Sequence, residues 1–278
     1  MIHKTAIALT GAALFATSAN AGVASQVDLS QFVNGEILNG FNVGPVTIDG
    51  DNFHNSEDYI VAFDTTLTGT RDPDLEGPNG NGGSWDVGNL RNSTTPIGNI
   101  LIIQEVDRNF AGYTDQTNTV VSRPDDEGQR RGGSETGAGE IVLTFDQGVD
   151  SFGFTLIDVE ETGEFNRETG FFAVFSDGSA TTKGSFEDLI ENGNAFFQDD
   201  IVFGDNSANR IDAFTAAELG LASIESVTIN LGGSGGVGEI TYTDVTGVPS
   251  PTAALAGVGL MGVLLSRRGN RRQDRSKA

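Results

Sequence analysis

Cysteine is missing altogether from this 278-residue chain. Its absence excludes disulfide cross-links, metal–thiolate centres and thiol catalysis, so stability must come from burial or from a cation held by oxygen. Histidine is almost as scarce, with only His3 and His54. His3 lies in the N-terminal leader, and His54 sits in Asn52-Phe53-His54-Asn55-Ser56-Glu57-Asp58, which reads as a polar turn. A Ser-His-Asp arrangement would rest on that one residue, and no catalytic residue is assigned. Positive charge is in short supply: 16 Lys+Arg face 39 Asp+Glu, a net charge of −23. Lys4 and the group Arg267, Arg268, Arg271, Arg272, Arg275 and Lys277 lie at the two ends, which leaves the body more acidic still. Phosphate repulsion excludes nucleic acid as a partner for such a body. No apolar run reaches the roughly 20 residues of a comfortable membrane helix.

What is present points to strands. The chain has 38 glycines and 18 phenylalanines, with few helix-favouring runs. Strand-like stretches recur at 43–48, 59–63, 99–105, 140–145, 151–159, 170–175, 201–203, 224–231 and 239–245. Ile141, Leu143 and Phe145 share one face of their segment, as do Phe152, Phe154 and Leu156 of the next. Ile224 and Val227 fall out of phase, which a bulge or a late strand start accounts for. Two short helices are expected, at 185–193 behind Ser185 and at 215–220 as a capping box with a glycine stop. With no alternation of strand and helix, the expected fold is all-β: one β-sandwich or jelly-roll-like domain over 22–247. Two loops, 71–98 and 108–139, interrupt it.

Those loops carry the acidic clusters. Arg71-Asp72-Pro73-Asp74-Leu75-Glu76-Gly77 opens like a calcium loop, with alternate carboxylates ahead of a glycine turn. It departs from an EF-hand because Gly83 stands where a bidentate Glu is needed. Pro124-Asp125-Asp126-Glu127-Gly128 is the second cluster, and Asp158-Val159-Glu160-Glu161 is a third acidic run at a strand end. Hard cations take six to eight oxygen ligands, so Asp72, Asp74 and Glu76, with Asp125, Asp126 and Glu127, are the expected Ca2+ ligands. Trp85, the single tryptophan, sits in a glycine-rich loop, where it either stacks on a sugar or plugs the core. Paired carboxylates hydrolyse glycans without histidine, and Glu105, Glu140 and Glu160 flank strands as the first candidates for that rival reading. Gly232-Gly233-Ser234-Gly235-Gly236 lacks a lysine and a following helix, and so reads as a turn and not a phosphate cradle.

The ends read as addresses. Residues 1–21 combine Lys4, an apolar run to Thr17 and the small-x-small Ala19-Asn20-Ala21 of a cleaved export signal. Residues 248–278 hold Val248-Pro249-Ser250-Pro251, an apolar run from Thr252 to Leu265, and the basic cluster opened by Arg267 and Arg268. As a helix that run spans roughly 21 Å at about 1.5 Å per residue, short of a hydrocarbon core of about 30 Å. The basic flank stays cytoplasmic. This order of parts resembles the PEP-CTERM sorting signal of exported bacterial proteins, with Ser250 where the commonest form has Glu. The body resembles exported proteins of the same group in three stretches, 63–76, 99–105 and 151–160, and again in 230–236. The resemblance implies a transient membrane anchor through the C-terminal helix and an exosortase-type protease as processing partner. The expected destination is the cell surface or extracellular matrix. A non-enzymatic β-sandwich associated with extracellular polysaccharide is then the leading expectation, with a glycan hydrolase or an adhesion or pilus-like subunit as rivals.

Overall fold

The computed structural model describes residues 23–53, 59–78, 84–105, 119–126, 137–160, 170–176 and 178–245. These belong to one unit, Val23–Val245. Among the described residues eleven antiparallel strands build it: β1 (Ala24–Gln26), β2 (Phe41–Val43), β3 (Val46–Asn52), β4 (Ile60–Asp64), β5 (Asn99–Ile103) and β6 (Gly139–Ile157) come first. Then follow β7 (Phe171–Ser176), β8 (Ala180–Ser185), β9 (Ala208–Thr215), β10 (Ile224–Leu231) and β11 (Gly236–Asp244). One 3-10 turn, Leu29–Gln31, and one short helix, α1 (Phe186–Ile190), complete the described elements. The fold is all-β and sandwich-like, as the alternation patterns predict.

β6 organises the domain. Its first part pairs with β3 and β10, and its second part pairs with β9 and β11. From β10 the ladder continues to β7 and β8, and from β11 to β5 and β4. Both layers thus share one long strand. The sequence demands an irregularity inside it. Buried Ile141, Leu143, Phe145 and Val149 hold odd positions, whereas buried Phe152, Phe154 and Leu156 hold even ones. A regular strand would turn one set away from the core, because side chains alternate with period two. The conflict is resolved where Val149 pairs with Asp244 and Ser151 with Thr243, so that Asp150 is the extra residue of a bulge. A register shift between Ile224 and Ser226 likewise accounts for the phase break in β10.

Two cores follow. The main one gathers the inward faces of both layers, including stacked Phe172 and Phe214 with ring centroids 5.2 Å apart. β4 and β5 are buried on both faces, which is why they read as unbroken apolar runs. Ile60, Ala62, Leu101 and Ile103 enter the main core, while Val61, Phe63, Ile100 and Ile102 form a second one. Leu75, Trp85 and Val121 close that second core from the long loops. Each such side chain contributes about 1.5–3 kcal/mol by burial, enough to hold the described parts of these loops against the body. The Trp85 ring lies so close to Gly77 that a Cβ there would meet its Cζ2.

Several expected elements differ. The stretch 43–48 is a hairpin and not one strand: Val43 pairs with Val46 across a turn whose Gly44 has φ +60°. The stretch 201–203 is not a strand, whereas the polar-looking β9 is one, its Ile211 and Phe214 facing the core. The segment 140–145 and residues 151–157 of the segment 151–159 belong to the single strand β6, which ends before Asp158. At 215–220 the reciprocal Thr215–Glu218 hydrogen bonds of a capping box form, but they close only a turn. The box at Ser185 and Asp188 does start a helix. Among the described residues no helix is long and apolar enough to cross a membrane. The expected export signal at 1–21 and sorting segment at 248–278, with Val248, Pro249, Ser250, Pro251, Arg267 and Arg268, lie outside the described residues.

Candidate metal centre

Three segments deliver the carboxylates of two triads to one recess of about 250 Å³, which Glu105 after β5 also lines. The first follows β4. Leu75 is anchored in the second core and Gly77 N–H donates to the Thr65 carbonyl at 2.8 Å, so the intervening Asp72 and Asp74 are held against the body. The second is 119–126, where Val121 is buried in the second core and Asp126 bridges Gln104. Glu105 N–H donates to the Asp125 carbonyl at 2.9 Å, aligning this segment with the end of β5. The third is the end of β6, where Asp158 takes a left-handed φ of 56°. Its N–H donates to the Ser207 carbonyl and its carboxylate accepts from Asn206 N–H, both at 2.8 Å. Asx residues tolerate this conformation better than most, yet it remains a strained choice that the surrounding bonds must enforce.

The acids form two triads, Asp72 with Asp125 and Asp126, and Asp74 with Asp158 and Glu160. Within each triad one oxygen from every carboxylate lies within 4.8 Å of the others, and either group could hold a metal ion. Asp72, Asp126 and Asp158 are only 7%, 8% and 2% exposed. Burial is the main reason their protonation is displaced. It pushes Asp72 up to about 6, helped by Asp125 and opposed by the Asp126 N–H. It pushes Asp158 up to about 8, with Glu160 and Asp72 adding repulsion. Asp126 is raised well above the ordinary range by burial and by Asp72 and Asp158, although Gly235 N–H donates to it. Asp74 is raised as well, by burial and by Asp205. One positive side chain reaches the recess among the described residues: the Arg71 guanidinium pairs with Asp125 and lies 3.8 Å from Glu105.

Of the expected ligands, Asp72, Asp74, Asp125 and Asp126 converge here. Glu76 does not belong to either triad: its carboxylate accepts from the backbone N–H of Thr70 at 2.6 Å and from the Thr70 hydroxyl at 2.8 Å. The Asp-Pro turn causes this, since Glu76 N–H bonds back to the Pro73 carbonyl and swings the side chain toward the loop's own start. Glu127 and His54 lie outside the described residues. Asp158 and Glu160, from the third acidic run, complete the site. The position of Asp158 directly after the apolar face of β6 was the available signal for them. Trp85 is corrected: at 2% exposure it is a plug of the second core and offers no ring face to a sugar. Among the strand-flanking acids, Glu105 and Glu160 line the recess, whereas Glu140 sits beside Asp51, which together with burial raises its pKa.

An all-oxygen set of carboxylates on separate segments suits a hard divalent cation. Crowded buried carboxylates that outnumber the counter-charge of Arg71 are costly, and protons or a cation relieve them. The chain matches no protein-family model and no curated protein.

Proposed function

We propose that this is an exported β-sandwich of the bacterial cell surface or extracellular matrix whose acidic recess binds calcium, and that it acts by association with extracellular polysaccharide and not by catalysis. The observation that carries the reading is the convergence of Asp72, Asp74, Asp125, Asp126, Asp158 and Glu160 on one recess, three of them almost wholly buried. Calcium fits better than magnesium because irregular ligand sets from several loops suit its flexible coordination, whereas magnesium demands near-octahedral geometry and keeps its water. The cation would tie together three segments that otherwise share little regular structure, in a chain without disulfides. Export and delivery rest on the leader at 1–21 and on the sorting segment at 248–278, with an exosortase-type protease as the processing partner. Before processing the C-terminal helix would hold the chain at the membrane.

Calorimetric titration of calcium into chelator-treated full chain tests the metal reading. The expected result is saturable binding that Asp72→Asn and Asp126→Asn each weaken severely. Binding that survives both substitutions would place the ion elsewhere.

A further inference from the structure

A second concavity adjoins the recess. It is a groove of about 530 Å³ lined by Asn34, Leu67, Thr68, Arg71, Ser122 and Arg123, among others. Its size falls in the range of small-molecule sites, roughly 300–1,000 Å³. The two concavities share Arg71, and Pro124 of the groove is bonded to Asp125 of the recess.

We propose that this groove binds a carboxylate-bearing sugar, a uronate residue of an acidic polysaccharide. Arg71 and Arg123 line it, in a chain with 16 Lys+Arg against 39 Asp+Glu, and the Arg71 guanidinium also pairs with Asp125. Arg123 is exposed, and a guanidinium is the group best shaped to take a carboxylate through paired hydrogen bonds. Thr68 and Ser122 are exposed beside it and suit sugar hydroxyls, while Leu67, 39% exposed, offers an apolar patch to the C–H face of a pyranose ring. The walls are preformed. The Asn34 side-chain oxygen accepts from Asp64 N–H at 2.9 Å, and Thr66 N–H bonds the Asp64 carboxylate at 3.0 Å. Gly35 N–H bonds Ala62, and Val121 N–H bonds the Gly35 carbonyl at 2.7 Å. Glu76, which is not a ligand in either triad, fixes the far wall through Thr70. A preformed groove loses little conformational entropy when a ligand enters. The choice of a sugar acid, over another carboxylate, rests on the matrix-polysaccharide reading.

Titration calorimetry on the full chain would use oligogalacturonate, neutral oligogalactose and a sulfated oligosaccharide, each in chelator, with calcium-induced melting shifts recorded on the same samples. Wild type is expected to bind the uronate oligomer. Arg123→Gln should weaken it about tenfold or more, with partial rescue by Arg123→Lys, while the calcium shift stays unchanged. Undiminished binding by Arg123→Gln would assign it to the basic tail and overturn the proposal, as would equal binding of the neutral oligomer, preference for the sulfated one, or no binding at all. Loss of the calcium shift with uronate binding intact would sink the metal reading and leave the groove standing.

Discussion

Asp158→Asn separates the cost of the acidic recess from its use. Asn is close in shape to a protonated Asp, keeps an oxygen for the Asn206 N–H, and accepts the left-handed backbone at φ 56°. What it removes is an acid whose pKa moves from 3.8 to about 8 on folding. Because the folded value lies above the unfolded one, the folded chain holds an extra proton across that window, and metal-free stability falls as pH rises through it. At about 1.4 kcal/mol per pKa unit, the cost near neutral pH is up to about 4 kcal/mol, and it shrinks toward zero as the pH approaches the unfolded value. The substitution should therefore stabilise the chelator-treated protein near neutral pH. At roughly 2–4 °C per kcal/mol for a domain of this size, the gain is up to about 8–16 °C, fading on acidification. In calcium the sign reverses, since a ligand has been lost. Thermal melts followed by Trp85 fluorescence at several pH values, with chelator and with calcium, read all of this. Asp158→Asn melting lower than wild type in chelator near neutral pH would refute the electrostatic reasoning.

Three further outcomes follow from the same geometry. Arg71→Met removes the cation that pairs with Asp125, so it should lower metal-free stability yet enlarge the calcium-induced shift; a shrunken shift would show Arg71 helping the ion and not competing with it. Trp85→Ala opens the second core at a cost of about 3–5 kcal/mol and should weaken calcium binding by loosening all three segments, measured by denaturant unfolding and calorimetry together. Gly235→Ala forces a side chain into φ +128° with its Cβ 2.8 Å from the Ile157 carbonyl, costing about 1–3 kcal/mol, and disturbs the N–H that Asp126 accepts. Calcium affinity equal to wild type in that variant would remove Gly235 from the account.

The sequence was most legible where burial imposes a period. The faces of β6, the double burial of β4 and β5, and the phase break in β10 can all be read from apolar spacing alone, because a side chain on the wrong face loses its burial energy. β9 was not legible: its run of Asn209, Arg210 and Asp212 looks like a loop until Asn89 and Gln198 are seen bonding its backbone from other segments. The Gly44-Pro45 hairpin was missed because apolar residues flank it on both sides. At the site, the Asp72 and Asp125 segments could be chosen by composition, but their meeting could not. It depends on Leu75, Trp85 and Val121 sharing a core beneath β4 and β5, a contact set by tertiary packing. The exclusion of Glu76 depends on one turn hydrogen bond, and Asp158 enters only through a left-handed residue after a strand.

The central claim is that the carboxylates of this recess are ligands awaiting a cation. The most direct measurement is the melting temperature of the full chain across pH, with and without calcium. Without calcium, stability should rise as pH falls from about 8 toward 6, as the buried Asp158 takes up a proton, and rise further below about 6 as Asp72 does the same. With calcium at about 100 times Kd, a gain of about 2.7 kcal/mol, roughly 5–11 °C, is expected near pH 8, falling away as protons displace the ion near pH 6. Identical curves with and without calcium would contradict the account.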